Sequence, residues 1–144
     1  MTVAFTVYGE PAPQGSKTVA RSSSGATHVR EDNPNTEPWR NAVAAAAAEA
    51  MDGRDPIGGP VRLEVAFVFA RPRSHFGTGR NAGRLKASAP HYAAKVPDVD
   101  KLVRAVGDAL SGIVLVDDSR IVELVASKHY GSPAAHVTVS ELLA

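Results

Sequence analysis

Apolar residues fall on alternate positions in some parts of the chain and at helical spacing in others, and two long stretches have neither period. Near the start Val3, Phe5 and Val7 alternate with Ala4, Thr6 and Tyr8, the period of a half-buried strand, and "EPAP" ends it. Residues 11–36 are rich in Ser, Thr, Gly and Pro and are expected to form a flexible polar loop, at most a mobile hairpin. "EPWRNAVAAAAAEAMDG" then places strong helix formers after Pro38, with Trp39 and Val43 one turn apart and Gly53 as a stop. Past the turn "DPIGGP", Val61, Leu63, Val65, Phe67 and Phe69 alternate with Arg62 and Glu64. The later part of this strand is apolar on both faces, which places it centrally in a sheet.

Residues 71–96 show no period and are too long for an ordinary connection, so they form a functional or partly disordered loop. A helix follows over 99–111, with Val99, Leu102, Val103, Val106, Ala109 and Leu110 on one side and Asp100, Arg104 and Asp108 on the other. Gly112 closes it. "IVLV" is a short buried run, "IVELVASKHY" a strand, "GSP" a turn and "AAHVTVSELL" the last strand. The expected fold is α+β, a two-layer single domain over 1–144 with a mixed β-sheet and two main helices, in the order β-α-β-(long basic loop)-α-β-β-β.

The chain has 144 residues, a size suited to one hydrophobic core, and contains no cysteine, which excludes disulfides and thiolate metal sites. No apolar stretch approaches membrane-spanning length and the start carries no leader pattern, so a cytoplasmic protein without membrane association is expected. The net charge is only +1, but residues 71–95 hold four arginines, two lysines, two histidines and no acid. That distribution suits either a solvated loop or a surface for an anionic polymer.

Five aspartates lie between residues 95 and 120. Asp98 and Asp100 would point apart within a helix, but they can converge if Asp98 is the last extended residue or N-cap after Pro97. Acids at a helix N-terminus also cap it and complement its dipole, so "PDVD" alone reads first as a cap. The second cluster adds a length argument. A helix of about twelve residues rises roughly 18 Å, and the six residues from Ile113 to Asp118 span roughly 20 Å if extended, so "DD" can return beside "PDVD". Asp117 and Asp118 would face opposite ways in a strand, so one joins the site and the other faces solvent or caps "DDSR". A hard divalent cation, Mg²⁺ with Mn²⁺ as substitute, would relieve repulsion among three carboxylates. Such an ion activates water and clamps phosphoryl oxygens. Lys95, Lys101, Arg104 and Arg120 then stand as phosphate contacts, or simply as salt-bridge partners of the acids.

"PDVDKLVRAVGDALSGIVLVDDSRIVELVASKHYG" resembles the core signature of the RusA family of Holliday-junction resolvases in order and spacing. "GEPAPQGSK" is similar to the opening of phage-type members, and "PWRNAV" adds support at the first helix. The resemblance implies that Asp98, Asp100 and Asp118 are the metal-binding catalytic acids. Arg104 falls where the better-studied branch has a catalytic lysine; arginine keeps the charge but does not readily donate a proton. Lys101 replaces an asparagine and could supply part of that function, and Arg120 stands where glutamine is usual. The resemblance further implies a Mg²⁺-dependent homodimer that nicks four-way DNA junctions symmetrically. Phosphate contacts are expected from Lys17, Arg71, Arg73, Arg80, Arg84, Lys86, Lys95, Arg120 and Lys128.

His28, His75, His91, His129 and His136 show no metal-ligand spacing, and "GGP" and "GTGR" lack the context of a nucleotide-binding loop. Trp39 reads as a core anchor. Two other functions remain open at this level: a noncatalytic junction-binding phage accessory protein on the same fold, and a Mg²⁺-dependent phosphatase. An extended acid-free basic loop argues against the second.

Overall fold

The structure, a computed structural model, describes residues 1–15, 17–21, 27–31 and 33–143, with 17–21 and 27–31 described by backbone alone. Strands β1 (Thr2–Tyr8), β4 (Val61–Phe69), β5 (Ile121–Tyr130) and β6 (Ala134–Glu141) form one mixed sheet in the order β1-β6-β4-β5. The β1–β6 and β6–β4 pairs are antiparallel, and β4–β5 is parallel. Two helices, α1 (Thr36–Met51) and α2 (Val99–Leu110), complete the α+β fold.

The register explains the core. Val3, Val139, Leu63 and Leu124 form one row across the sheet, and Phe5, Val137, Val65 and Ala126 the next. Along β4 every apolar residue of the expected alternation is buried, while Arg62, Glu64, Ala66 and Val68 are partly exposed. Central placement of β4, paired on both edges, matches its apolar character. Helix α1 covers the buried face with Trp39, Val43, Ala47 and Met51, one stripe at four-residue spacing. Helix α2 adds Leu102, Ala105, Val106, Ala109 and Leu110. Each large side chain so buried contributes about 1.5–3 kcal/mol. Asp52 and Gly53, both at positive φ (48° and 78°), end α1.

Three expectations change. Within the 11–36 stretch, β2 (Lys17–Arg21) and β3 (Thr27–Glu31) pair antiparallel as a second, two-stranded sheet, with Val19 opposite Val29. The residues preceding them also dock rather than loop freely: Pro11, Ala12 and Gln14 are buried, Gln14 N–H donates to the Lys101 carbonyl at 2.9 Å, and Thr36 Oγ1 donates to the Pro13 carbonyl at 2.7 Å.

The "IVLV" run is buried at Val114 and Leu115 but is not a strand. Gly112, at φ +86°, turns the chain at once, and the run makes only isolated bridges from Leu115 to Ile57 and Ser111. The order after α2 is therefore turn, β5, β6.

The 71–96 segment is a structured excursion. It holds 3-10 turns at Arg73–His75 and Gly79–Asn81 and a bridge between Phe76 and Leu85. A Cβ at Gly77 would lie 2.7 Å from Asn81 Cβ, so this bend requires glycine. Among the described residues no helix is long and apolar enough to cross a membrane.

Candidate active site

The site is built at the start of α2. The Val96–Pro97 peptide is cis, Asp98 occupies the N-cap position in extended conformation (φ −71°, ψ 142°), and Asp100 lies in the first turn. Asp98 makes no side-chain cap hydrogen bond. Both carboxylates are exposed, and among the described residues neither forms an ion pair or side-chain hydrogen bond. Two acids placed as caps thus leave their oxygens available.

Asp117 and Asp118 differ in their contacts. Asp117 caps the 3-10 turn Asp118–Arg120, accepting from the Ser119 N–H at 3.0 Å. The Ser119 side chain first, then that N–H bond, with a smaller contribution from Arg120, hold its carboxyl below the usual carboxylate range. Asp118 instead lies against α2: its Cβ is 3.9 Å from where a Gly107 Cβ would sit. Residues 100, 104 and 107 share one helical stripe, so Asp118 lies on the side of α2 that carries Asp100 and Arg104. Its neighbour Gly107 is two turns from Asp100, about 10 Å along the axis. Among the described residues no three His, Asp or Glu side chains are placed to hold one ion, so the expected three-carboxylate cluster is not assembled in this arrangement. Asp108 serves a structural pair, 4.0 Å from Arg40.

The element that does return beside "PDVD" is β5, which brings a cation. Lys128 Nζ donates to the carbonyls of Lys95 (2.6 Å) and Pro97 (3.0 Å), tying the loop that carries Asp98 to the sheet. Arg71 is similarly engaged: it donates to the Pro90 carbonyl at 2.7 Å, and its guanidinium lies 4.6 Å from the Tyr130 ring centre. Lys95 lies 5.9 Å from the same ring. The other expected phosphate contacts, Arg73, Arg80, Arg84, Lys86 and Arg120, are exposed, as are Lys101 and Arg104 beside the acids. The Lys17 side chain lies outside the described residues.

The described residues thus place two uncommitted carboxylates at one helix end, flanked by exposed cations. A family model described as endodeoxyribonuclease RusA matches residues 9–140. The chain belongs to the RusA endodeoxyribonuclease family. It is also similar to the uncharacterized protein YqaN of Bacillus subtilis (strain 168), 32% identical over 143 residues, which cover 99% of this chain and 98% of that protein.

In this RusA-family chain, Asp98 and Asp100 suit a hard divalent ion, offering oxygen donors that the protein leaves unpaired. Asp118 is not assembled with them here.

Sequence reasoning missed the cleft next to the acids. About 750 Å³ in volume, it lies between the 10–15 segment, the start of α1, Phe69 at the end of β4, and residues 95–101. Trp39 forms part of its wall, and its Nε1 is buried without a hydrogen-bond partner. The two prolines of "PAPQG" were the available signal, since they supply rigid apolar surface without a strand or helix to belong to.

Proposed function

We propose that the protein is a divalent-metal-dependent endonuclease that resolves four-way DNA junctions, acting as a homodimer in which each subunit nicks one strand. The observation that carries this reading is the pair of exposed, uncapping carboxylates at Asp98 and Asp100 in a chain of an endodeoxyribonuclease family. Asp98 and Asp100 would hold Mg²⁺, or Mn²⁺ in its place, with Asp118 as the third catalytic acid. The ion supplies charge neutralisation at the phosphate and an acidified water. Lys101 and Arg104 support the phosphate electrostatically, Arg104 as a fixed charge rather than a proton donor. Arg73, Arg80, Arg84 and Lys86 on the exposed excursion, with Lys17, Arg120 and the Lys95 ammonium, give salt-dependent backbone binding that reads junction shape. Arg71 and Lys128 add charge but chiefly position the loop through the carbonyls they hold. This chemistry belongs to DNA recombination, repair or phage DNA processing.

A second reading, a noncatalytic junction-binding protein on the same fold, draws on the exposed cations Arg73, Arg80, Arg84 and Lys86, which would bind DNA without cutting it. Cut-site mapping on a mobile four-way junction, across a range of Mg²⁺ and Mn²⁺, separates the two. Paired nicks at symmetric positions support the nuclease. Tight junction binding with no cut at any metal concentration overturns it.

A further inference from the structure

We propose that the cleft beside Asp98 receives an unstacked nucleobase of the DNA substrate and thereby sets the sequence preference of cutting. This rests on the nuclease reading for its location and on the cleft for its chemistry. The cleft of about 750 Å³ is large enough for a nucleotide and adjoins the candidate catalytic residues, since Asp98 and Lys101 are part of its lining.

Its lining is more apolar than polar. Pro11, Pro38 and Pro97 contribute rings to it, together with the buried Trp39 and Phe69. Such surfaces suit the face of a planar heterocycle, as aromatic platforms do for single-stranded bases. The rim is polar: Glu10 is an acceptor, and the exposed Asn35 amide both donates and accepts, as the edge of a base requires. Lys95 and Lys101 add two cations for the attached phosphate.

A second observation points the same way. Trp39 is 5% exposed, and its Nε1 has no hydrogen-bond partner. Buried donors in native structures almost always find an acceptor, and leaving one unmade is costly. A ligand seated against Trp39 would bring acceptors to this wall. Nucleobases carry carbonyl and ring-nitrogen acceptors. A junction centre supplies bases whose stacking is already weakened, which lowers the cost of withdrawing one.

The test uses four-way junctions with 2-aminopurine placed singly at each position around the branch point, bound to the full chain with Ca²⁺ in place of Mg²⁺. If a base enters the cleft, one position brightens or changes lifetime on binding while its neighbours do not, and the fluorescence of Trp39, the one tryptophan of the chain, is quenched by the same titration. Ala42, an exposed residue of α1 in the cleft wall, is changed to phenylalanine to fill the space. A42F is expected to abolish the 2-aminopurine response and to reduce single-turnover cutting at preferred sequences by about tenfold, while affinity, carried by phosphates, falls less than about threefold.

A wild-type protein that cuts junctions with no 2-aminopurine response at any position overturns the cleft proposal alone, as does A42F with unchanged rate and preference. A wild-type protein that never cuts but shows the localised response retains the cleft and overturns the nuclease reading. If A42F does not fold, the wild-type fluorescence response decides.

Discussion

Asp98 and Asp100 are acids that a helix N-terminus favours for electrostatic reasons, yet neither carboxylate is used by the helix. Removing their charge should therefore cost little stability and much chemistry. Asp98→Asn and Asp100→Asn are each expected to slow junction cutting roughly a hundredfold or more while junction affinity stays equal or rises, because less negative charge faces the phosphates. Loss of affinity together with cutting would assign these residues to the fold. Asp118→Asn should also lose cutting, whereas Asp117→Asn should keep most of it.

The mark of Asp117 is instead acid stability. Its folded-state carboxyl is held below the ordinary value by Ser119, so its stabilising contribution is present above that value and is lost as pH falls through the depressed one. Acid-denaturation curves of Asp117→Asn should lack that component.

Gly107 offers a complementary test at the helix face. A Cβ there would meet Asp118 and Ile121 at 3.9 and 4.0 Å, ordinary contact distances. Gly107→Ala should then raise thermal stability by about 0.5–1 kcal/mol through helix propensity alone, with cutting retained. Gly107→Leu, which would push Asp118 off the stripe, should keep the helix and lose cutting. Equal activity in the two variants would remove Asp118 from the site.

At the scale of elements, the strand alternations, both helices and the extended cap position of Asp98 were legible because each rests on a local period or on Pro97. The return of the chain was not. Four apolar residues at 113–116 satisfy a strand and a buried turn equally, and only the tertiary partner, Ile57, decides. The length argument assumed an extended return from Ile113. Gly112 instead folds the run back under the helix end, so Asp118 emerges beside Gly107 and it is Lys128, eight residues into β5, that reaches the carbonyls before Asp98. A lysine's side-chain partners cannot be read from its spacing.

The basic excursion has its own element-scale consequence. His75 packs edge-on against Tyr130 at 5.3 Å, and Arg71 stacks on the same ring, joining the start of the excursion to the end of β5. Burial, and then the positive charges of Arg71, Lys95 and Lys86, hold the His75 imidazole below its ordinary value of 6.5. The unfolded segment therefore takes up a proton at a higher pH than the folded one. The stabilisation is complete above pH 6.5 and is lost progressively as pH falls below it. Protection factors across 71–90, that is, exchange rates divided into the intrinsic rate at each pH, should fall as pH drops below 6.5, and His75→Phe, which keeps the ring contact, should remove that pH dependence. A fall that persists unchanged in His75→Phe would place the titrating group elsewhere.

At the scale of the whole molecule, one sheet edge stands out. Among the described residues β5 is paired to β4 alone, and Val122, Leu124 and Val125 are 61%, 50% and 48% exposed. Residues 122–125 of this ten-residue strand are exposed, while the excursion holds Lys128 and Tyr130 at its end; an exposed edge invites another strand, and we infer that the occupant is β5 of a second copy. The strand has Glu123 near its start and Lys128 and His129 near its end, so antiparallel self-pairing sets opposite charges together while parallel pairing sets like against like.

A two-fold axis between antiparallel strands runs perpendicular to the sheet, so it would keep both helix layers on one side. Both Asp98–Asp100 pairs would then face a single DNA junction, as paired nicking requires. If the protein pairs through β5 as inferred, Val122→Lys combined with Leu124→Lys should leave a folded monomer in sedimentation velocity where the wild type sediments as a dimer, with single nicks persisting and paired nicks on one junction lost. A wild-type protein that sediments as a monomer at micromolar concentration, or a double variant that remains dimeric, would remove β5 as the dimer edge and leave its exposed valines without a partner.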